Sequence, residues 1–498
     1  MAQKRNPKYR KQQPRRSSAP VMLALTLFLV VLVVLSLGLR MLLRVPGTPD
    51  ATDNPSIADT PAVTDSPAEP EPQQERTSWF SRLFGKSEKE TEPETQPEPE
   101  HVVSTATVGV TGDILMHMPV INTGLQPDGS YSFDYIFRYL APYTQKVDWA
   151  VANLETTLCG TDKGYKYSGY PAFNCPDEIV DAMKNAGFDM LLTANNHCYD
   201  TSEYGFLRTV RTVREKGLSV LGTRAAVEEP TYLIQEINGI KVGMVCYTYE
   251  GPPENPTPGT VYMNKNALSA TCAPLINSFL STQLDPFYLE VRSILEEMKR
   301  AGAEATIMFI HWGTEYQTSP NLEQNNIAQQ LCDIGYDVIV GGHPHVIQPM
   351  DMLTSRLDPD HKTVCLYSTG NAVSNQRISE MDLKTGHTED ALLFQCTFSK
   401  YSDGTVYLEN VDILPIWVDL RTEGSKEYDM IPLDLTLKDQ WQSLYGLSAE
   451  GFENAQKSYT RTNDLTGTGL ALARSFLSDQ KQQREADYLA AVTQTDAA

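Results

Sequence analysis

The nine residues VIVGGHPHV, at positions 338–346, decide how the rest of the chain is interpreted. The apolar run VIV is typical of a buried strand, and the two glycines after it free the backbone to turn. His343 and His345 follow, with a proline between them. In an extended segment, residues two apart point to the same side, so we expect both imidazoles to face one point. Such a pair suits a transition-metal ion, although two histidines in a surface loop would give the same pattern.

Four other strand-like runs also end in polar side chains that bind metals. The run VGVTGD ends in Asp113, VANLE ends in Asn153 and Glu155, LLTANNH ends in Asn195, Asn196 and His197, and IMFIHWG contains His311. Each alone has an ordinary alternative as a helix cap, a turn residue or a packed core histidine. In layered α/β proteins, however, ligands gather outside the carboxyl ends of strands. Together these residues predict a site of carboxylate, amide and imidazole ligands for one or two divalent transition-metal ions, such as Zn, Mn or Fe.

The motifs GDILMH, NLETTL, ANNHCYD, HWGTEY, GHPHVIQ and YSTGN, in this order, closely resemble those of the CapA family of poly-γ-glutamate (capsule) synthesis proteins. The resemblance spans roughly residues 104–375. It implies a domain related to calcineurin-like metallophosphoesterases, which use two metal ions that share a carboxylate.

The resemblance also implies roles for individual residues. One ion would bind Asp113, Glu155 and His345, and the other would bind Glu155, Asn196, His311 and His343. His197 matches the histidine that acts on the leaving group, and we expect Asp200, three residues on, to orient it. The sequence departs from the metallophosphoesterase pattern after Asp113, where the Asp-x-His histidine is missing and His117 is the nearest candidate.

Short apolar runs alternate with longer amphipathic runs from residue 105 onward. This alternation predicts an α/β fold, with a layered β-sheet core flanked by helices. We expect the metallophosphoesterase-like domain to cover residues 104–425, followed by a polar helical tail at 426–498. Cys159 and Cys175 bracket a loop rich in Gly and Tyr and are our candidates for a disulfide.

The N-terminal hundred residues have a different composition. Residues 1–20 carry seven positive and no negative side chains, and residues 21–39 are uncharged and long enough to span a bilayer. We therefore expect a basic cytoplasmic segment at 1–20, a transmembrane anchor at 21–43 and an extracellular C-terminal domain. A cleaved signal peptide is the alternative. Residues 44–103 are rich in Pro and Glu and predict a disordered stalk.

Charge narrows the possible functions. The chain has a net charge of −22, which argues against nucleic acid as a partner because Lys and Arg contacts to phosphates dominate that binding. The site residues favour a metal-dependent hydrolase or transferase, and the predicted anchor would place it on the outer face of the membrane. The resemblance to the CapA family implies that it acts on a phosphoester or an amide of a cell-surface polymer. The alternative is a non-catalytic accessory subunit that binds an anionic cell-surface polymer and assists its assembly or export. In either case, the resemblance implies membrane subunits of a polymer synthase as partners.

Overall fold

Two β-sheets pack face to face in the structure, a computed structural model that describes residues 101–422, 424 and 426–495. In chain order the strands are β1 (Val102–Ile114), β2 (Trp149–Leu154), β3 (Met190–Leu192), β4 (Ser219–Leu221), β5 (Tyr232–Ile237), β6 (Ile240–Tyr249), β7 (Tyr262–Met263), β8 (Asn266–Ala267), β9 (Ser278–Phe279), β10 (Ala305–His311), β11 (Val338–Gly342), β12 (Ile347–Thr354), β13 (Lys362–Thr369), β14 (Asp390–Tyr401), β15 (Val406–Arg421) and β16 (Glu427–Pro432). The first sheet has the order β16–β15–β14–β1–β2–β3–β4, and the second has the order β12–β13–β11–β10–β6–β5. β9 adds to β6, and β7 pairs with β8.

Helices cover the outer face of each sheet. They are α1 (Met118–Gly124), α2 (Asp134–Phe137), α3 (Ala141–Thr144), α4 (Glu178–Asn185), α5 (Ser202–Glu215), α6 (Leu284–Arg300), α7 (Leu322–Ile334), α8 (Trp441–Leu444) and α9 (Ala449–Thr495). Apolar side chains of α1, α2 and α4 pack on the first sheet, and those of α6 and α7 pack on the second. The prediction of a layered α/β core is therefore confirmed.

The apolar run of strand β11 is continuous because both of its faces are covered. Val338 and Val340 point into the core between the two sheets, whereas Ile339 points into the core beneath α6 and α7. β11 also lies between two parallel neighbours, β10 and β13. Parallel strands buried on both faces have near-continuous apolar sequences rather than alternating ones. The run Val338–Gly342 is thus a central strand of the second sheet.

The amphipathic run at residues 132–145 forms two short helices, α2 and α3, rather than one long helix. Pro142 lies in the first turn of α3. A proline is tolerated there because the first turn needs no backbone N–H donor, but inside a longer helix it would remove a hydrogen bond. The proline therefore explains why the helix begins anew at this point.

The first sheet continues beyond residue 425, where we expected the domain to end. β16 pairs antiparallel with β15 and buries Tyr428 and Met430. The 47-residue helix α9 follows and contacts β15 of the first sheet and β12 of the second. Arg461 of α9 also binds Asp390 of β14 through two hydrogen bonds of 2.6 Å. The C-terminal segment thus packs against both sheets.

The remaining expectations concern the N-terminus and the cysteines. The anchor at 21–43 and nearly all of the stalk at 44–103 lie outside the described residues, and no helix within the described part is both long and apolar enough to cross a membrane. All eight cysteines are buried free thiols, so the expected disulfide between Cys159 and Cys175 was wrong. Asn174 closes that loop instead, because its side chain bonds the backbone of Cys159 and of Gly160.

Candidate metal centre

The carboxyl ends of β1, β2, β10 and β11 bring the candidate ligands to one edge of the structure. Asp113 lies near the end of β1, Glu155 directly follows β2, and His311 ends β10. The backbone N–H of Asp113 donates to the carbonyl of Gly370 at 2.9 Å, which joins the end of β1 to the chain that leaves β13. The site therefore lies where the two sheets meet.

His343 and His345 reach this edge through a backbone conformation that we did not predict. His343 has φ +94° and His345 has φ +57°, so both lie in the left-handed region rather than in an extended segment. Non-glycine residues rarely adopt this conformation, and it concentrates at functional sites. The expectation of an extended pair was therefore wrong. The imidazoles converge because the backbone turns tightly on either side of Pro344.

Glu155, His311 and His343 form the first group of candidate ligands. One ligand atom from each lies within 4.8 Å of the others, and all three side chains are buried. Nε2 of His311 is 3.5 Å from Oε1 of Glu155. The same nitrogen is 2.9 Å from the amide oxygen of Asn196, which comes from the loop after β3. This group therefore offers two imidazoles, a carboxylate and an amide oxygen.

Asp113, Glu155 and His345 form the second group, within the same 4.8 Å limit. Nδ1 of His345 is 3.4 Å from Oδ2 of Asp113, and its Nε2 is 4.0 Å from Oε1 of Glu155. Glu155 thus belongs to both groups. His117 is in neither; its ring packs edge-on against Phe173, with 5.2 Å between the ring centroids.

The residues fit a bound metal ion because several of their polar atoms are buried and have no hydrogen-bond partner among the described residues. These atoms are both carboxylate oxygens of Glu155 and Nδ1 of His343. Buried polar atoms in native proteins are almost always hydrogen-bonded, so orphaned ones require an explanation. A cation would provide the missing partner for these atoms. The nitrogen and oxygen ligands, without a thiolate, suit Zn, Mn or Fe.

The charges of the site distinguish its histidines. Burial lowers the pKa of His343 well below its usual value, and the neighbouring His311 and His345 lower it further. His343 is therefore neutral, as a metal ligand must be. Burial alone would also lower the pKa of His345, but Glu155 and Asp113 raise it to about 9. Burial would raise the pKa of Asp113, yet the hydrogen bond with His345 and the charge of His311 bring it below its usual value.

His197 lies beside the metal ligands and is held by Asp200. Its Nδ1 is 2.7 Å from Oδ2 of Asp200, and the same oxygen accepts a 2.7 Å hydrogen bond from the backbone N–H of Phe173. Burial would lower the pKa of His197, but the hydrogen bond and charge of Asp200 raise it overall. Asp200 therefore orients the imidazole through Nδ1, and Nε2 is the ring nitrogen on the opposite side.

Asn371 is a further residue of the site that we did not predict. Its side-chain N–H groups donate to backbone carbonyls, including that of His345 at 3.2 Å, so its amide oxygen must face Nδ1 of His345 at 3.1 Å. His345 therefore carries a proton on Nδ1 and offers Nε2 as its ligand atom. The Gly370–Asn371 pair after a strand, in the motif YSTGN, was the available signal.

Comparisons with known proteins identify the family of the chain. Residues 107–376 match the family described as "Bacterial capsule synthesis protein PGA_cap". Capsule biosynthesis protein CapA of Bacillus anthracis is 27% identical over 326 residues, which cover 64% of this chain and 68% of that protein. PGA biosynthesis protein CapA of Bacillus subtilis (strain 168) is 26% identical over 309 residues, which cover 61% and 70%. The chain therefore belongs to the bacterial capsule synthesis protein family, as its motifs had predicted.

Proposed function

We propose that this protein is a metal-dependent hydrolase that cleaves a phosphoester bond in the synthesis or processing of a capsule polymer such as poly-γ-glutamate. The observation that carries the proposal is the pair of candidate ligand groups that share Glu155, whose two oxygens are buried and have no hydrogen-bond partner in the part of the chain that the structure describes. A shared carboxylate between two groups of nitrogen and oxygen ligands is typical of sites for two metal ions. The related CapA proteins support the assignment to capsule synthesis.

We assign the candidate ligands to two metal positions. Asp113 and His345 would hold one divalent ion, while Asn196, His311 and His343 would hold the other, with Glu155 common to both. When bound, the metal would supply Lewis acidity, which polarises a substrate oxygen and activates a water molecule.

His197 would donate a proton from Nε2 to the departing oxygen. Asp200 supports this role because its carboxylate lies on the opposite nitrogen of the ring and stabilises the charged imidazole. With a metal bound, these residues would meet the three requirements of phosphoester hydrolysis, which are charge stabilisation, an activated nucleophile and a proton for the leaving group.

We further propose that residues 21–43 anchor the protein in the cell membrane and that the described domain lies on the outer face. The uncharged run at residues 21–39, after seven positive side chains, supports this topology. An anionic cell-surface polymer and membrane subunits of its synthase are the proposed partners. Resistance to carbonate extraction, together with cleavage of the domain by external protease in intact cells, would test the topology.

The central experiment measures metal content and turnover on the same preparations. The full chain is purified, stripped with chelator and reloaded with Zn, Mn or Fe, and elemental analysis then counts the bound ions. Chromogenic phosphoesters and a γ-glutamyl amide are assayed with and without chelator. We expect one to two ions per chain and turnover of the phosphoester that chelator abolishes.

Three variants separate metal binding from catalysis. Glu155→Gln should lose metal and turnover together, whereas His197→Gln should retain the metal and lose turnover. His361→Gln is the matched control, because His361 binds the backbone of Tyr336 away from the site and should leave both quantities unchanged. Bound metal with no turnover of either substrate would favour the accessory subunit instead. A wild-type protein that binds no metal would refute the proposal.

A further inference from the structure

Three hydrogen bonds, one from a backbone N–H and two between side chains, connect His197 to Asp113 across the ends of three adjacent strands. The backbone N–H of His197 donates to the amide oxygen of Asn195 at 3.2 Å. The side-chain N–H of Asn195 donates to the amide oxygen of Asn153 at 3.0 Å, and the side-chain N–H of Asn153 donates to Oδ1 of Asp113 at 2.7 Å. The chain of bonds thus runs along the ends of β3, β2 and β1, which are neighbours in the first sheet.

Backbone groups fix the direction of both amides. The side-chain N–H of Asn195 also donates to the carbonyl of Leu154 at 2.9 Å, and a carbonyl can only accept. The N–H of His197, at the other end, can only donate. Asn195 must therefore present its oxygen to His197 and its nitrogen to Asn153. Asn153 then accepts from Asn195 with its oxygen and must present its nitrogen to Asp113. If either amide were flipped, at least one of these four hydrogen bonds would be lost.

This arrangement gives the two oxygens of Asp113 different environments. Oδ1 is occupied by Asn153, whereas Oδ2 faces Nδ1 of His345 at 3.4 Å. Asp113 is fully buried, and Asn153 and Asn195 are 6% and 0% exposed, so water does not compete for these bonds. The carboxylate is therefore held in one rotation, with Oδ2 on the side of the candidate ligands.

We propose that Asn153 and Asn195 are positioning residues that set the carboxylate of Asp113 relative to His197, so that metal binding and proton donation share one geometry. This inference rests on the proposed function, because it assigns the two asparagines to the same metal centre. Neither residue is expected to touch the substrate. Their effect is on the ligand Asp113 and on the backbone that carries His197.

The test compares metal affinity among four variants of the full chain, by calorimetric titration of the chelator-stripped protein with Zn and with Mn. Asn153→Leu removes the donor to Asp113 at similar volume and should weaken binding by about 10- to 100-fold, as loss of a hydrogen bond to a metal ligand commonly does. Asn195→Leu should weaken it in the same direction. The double variant should bind no more weakly than the weaker single variant, because both act through one chain of bonds.

Asn277→Leu is the matched control. Asn277 is 3% exposed and makes hydrogen bonds to Arg224, Thr231 and Cys246, so its loss should lower stability to a similar extent. It should leave the metal affinity within about twofold of wild type. If Asn153→Leu does not fold, Asn153→Ser provides the second variant, with the same expected loss of affinity because the shorter side chain does not reach Oδ1.

A second measurement on the metal-free protein keeps this inference separate from the proposed function. The urea midpoints of the stripped single and double variants should show non-additive shifts, since removing either amide breaks the same chain. Unchanged metal affinity in Asn153→Leu, or effects of the two single variants that simply multiply, would overturn the inference. If the wild-type protein binds no metal, the proposed function fails, and additive urea midpoints would then refute the coupling between the amides as well.

Discussion

Gly341 of β11 provides a sharp test of how closely the strands beneath the site approach each other. A methyl carbon at this position would lie 2.8 Å from the carbonyl carbon of Tyr367, and still closer to that carbonyl's oxygen and to Nε1 of Trp312. Ordinary contacts between carbon atoms are about 3.5–4.0 Å, so Gly341→Ala must push β13 away by roughly 1 Å. Tyr367 and Trp312 are themselves joined by a 3.0 Å hydrogen bond, which the methyl group would separate.

The expected cost is the sum of these two effects. Overpacking of a core costs about 1–3 kcal/mol, and each of the two buried polar groups left without a partner costs about 1–3 kcal/mol more. Urea unfolding of the purified protein should therefore show a loss of at least about 3 kcal/mol in the free energy of unfolding. Gly451→Ala is the control, because the nearest atom to its added carbon would be 3.4 Å away. Equal unfolding free energies for the two variants would refute this account of the packing.

Four further predictions address other parts of the molecule. Arg461→Met should cost about 3–5 kcal/mol in urea unfolding, because it leaves Asp390 buried without its partner, and adding Asp390→Asn should recover part of the loss; equal stabilities would contradict this. Asp200→Asn should lower turnover about 10²–10⁴-fold while metal content stays constant, since His197 loses its orienting group. All eight cysteines should resist a thiol reagent in the native protein and react after unfolding, and rapid native labelling would contradict their burial. In the metal-free folded protein, neighbouring carboxylates raise the pKa of His345 from 6.5 to about 9, so the folded state holds a proton that the unfolded state releases. The free energy of unfolding should therefore fall as the pH rises from about 6.5 to 9. His345→Gln should make the free energy of unfolding less dependent on pH over this range.

The sequence predicted the fold best where strands are buried on both faces. β10 and β11 were found because their apolar runs are uninterrupted and end in polar ligands. β12 was not predicted because it begins only two residues after His345 and contains Pro349. A proline within an apolar run normally argues against a strand. β12 is an edge strand of the second sheet, where a proline costs little. The difference reflects position in the sheet, which a local pattern does not contain.

The site divides in the same way. The candidate ligands were predicted because metal-binding side chains recur at the ends of several strand-like runs and lie within motifs that resemble those of the CapA family. The left-handed backbone at His343 and His345 was not, because it depends on how the loop fits between two sheets. The contacts of Asn153 and Asn371 could not be predicted either, since their partners Asp113 and His345 are 40 and 26 residues away in the chain. Hydrogen bonds of this kind follow from the assembled sheets.

The pairing of β1 with β14 has a consequence for how the protein is made. β1 lies at the centre of the first sheet, yet its hydrogen-bonded neighbour β14 includes Leu392, which is 281 residues after Thr111. Contacts between such distant parts of a chain form slowly. During synthesis, β1 emerges early and can pair with β2 on one side, but β14, its neighbour on the other side, is translated much later. The first sheet should therefore be completed late, and the candidate ligands should reach their final arrangement only after β14 has been translated.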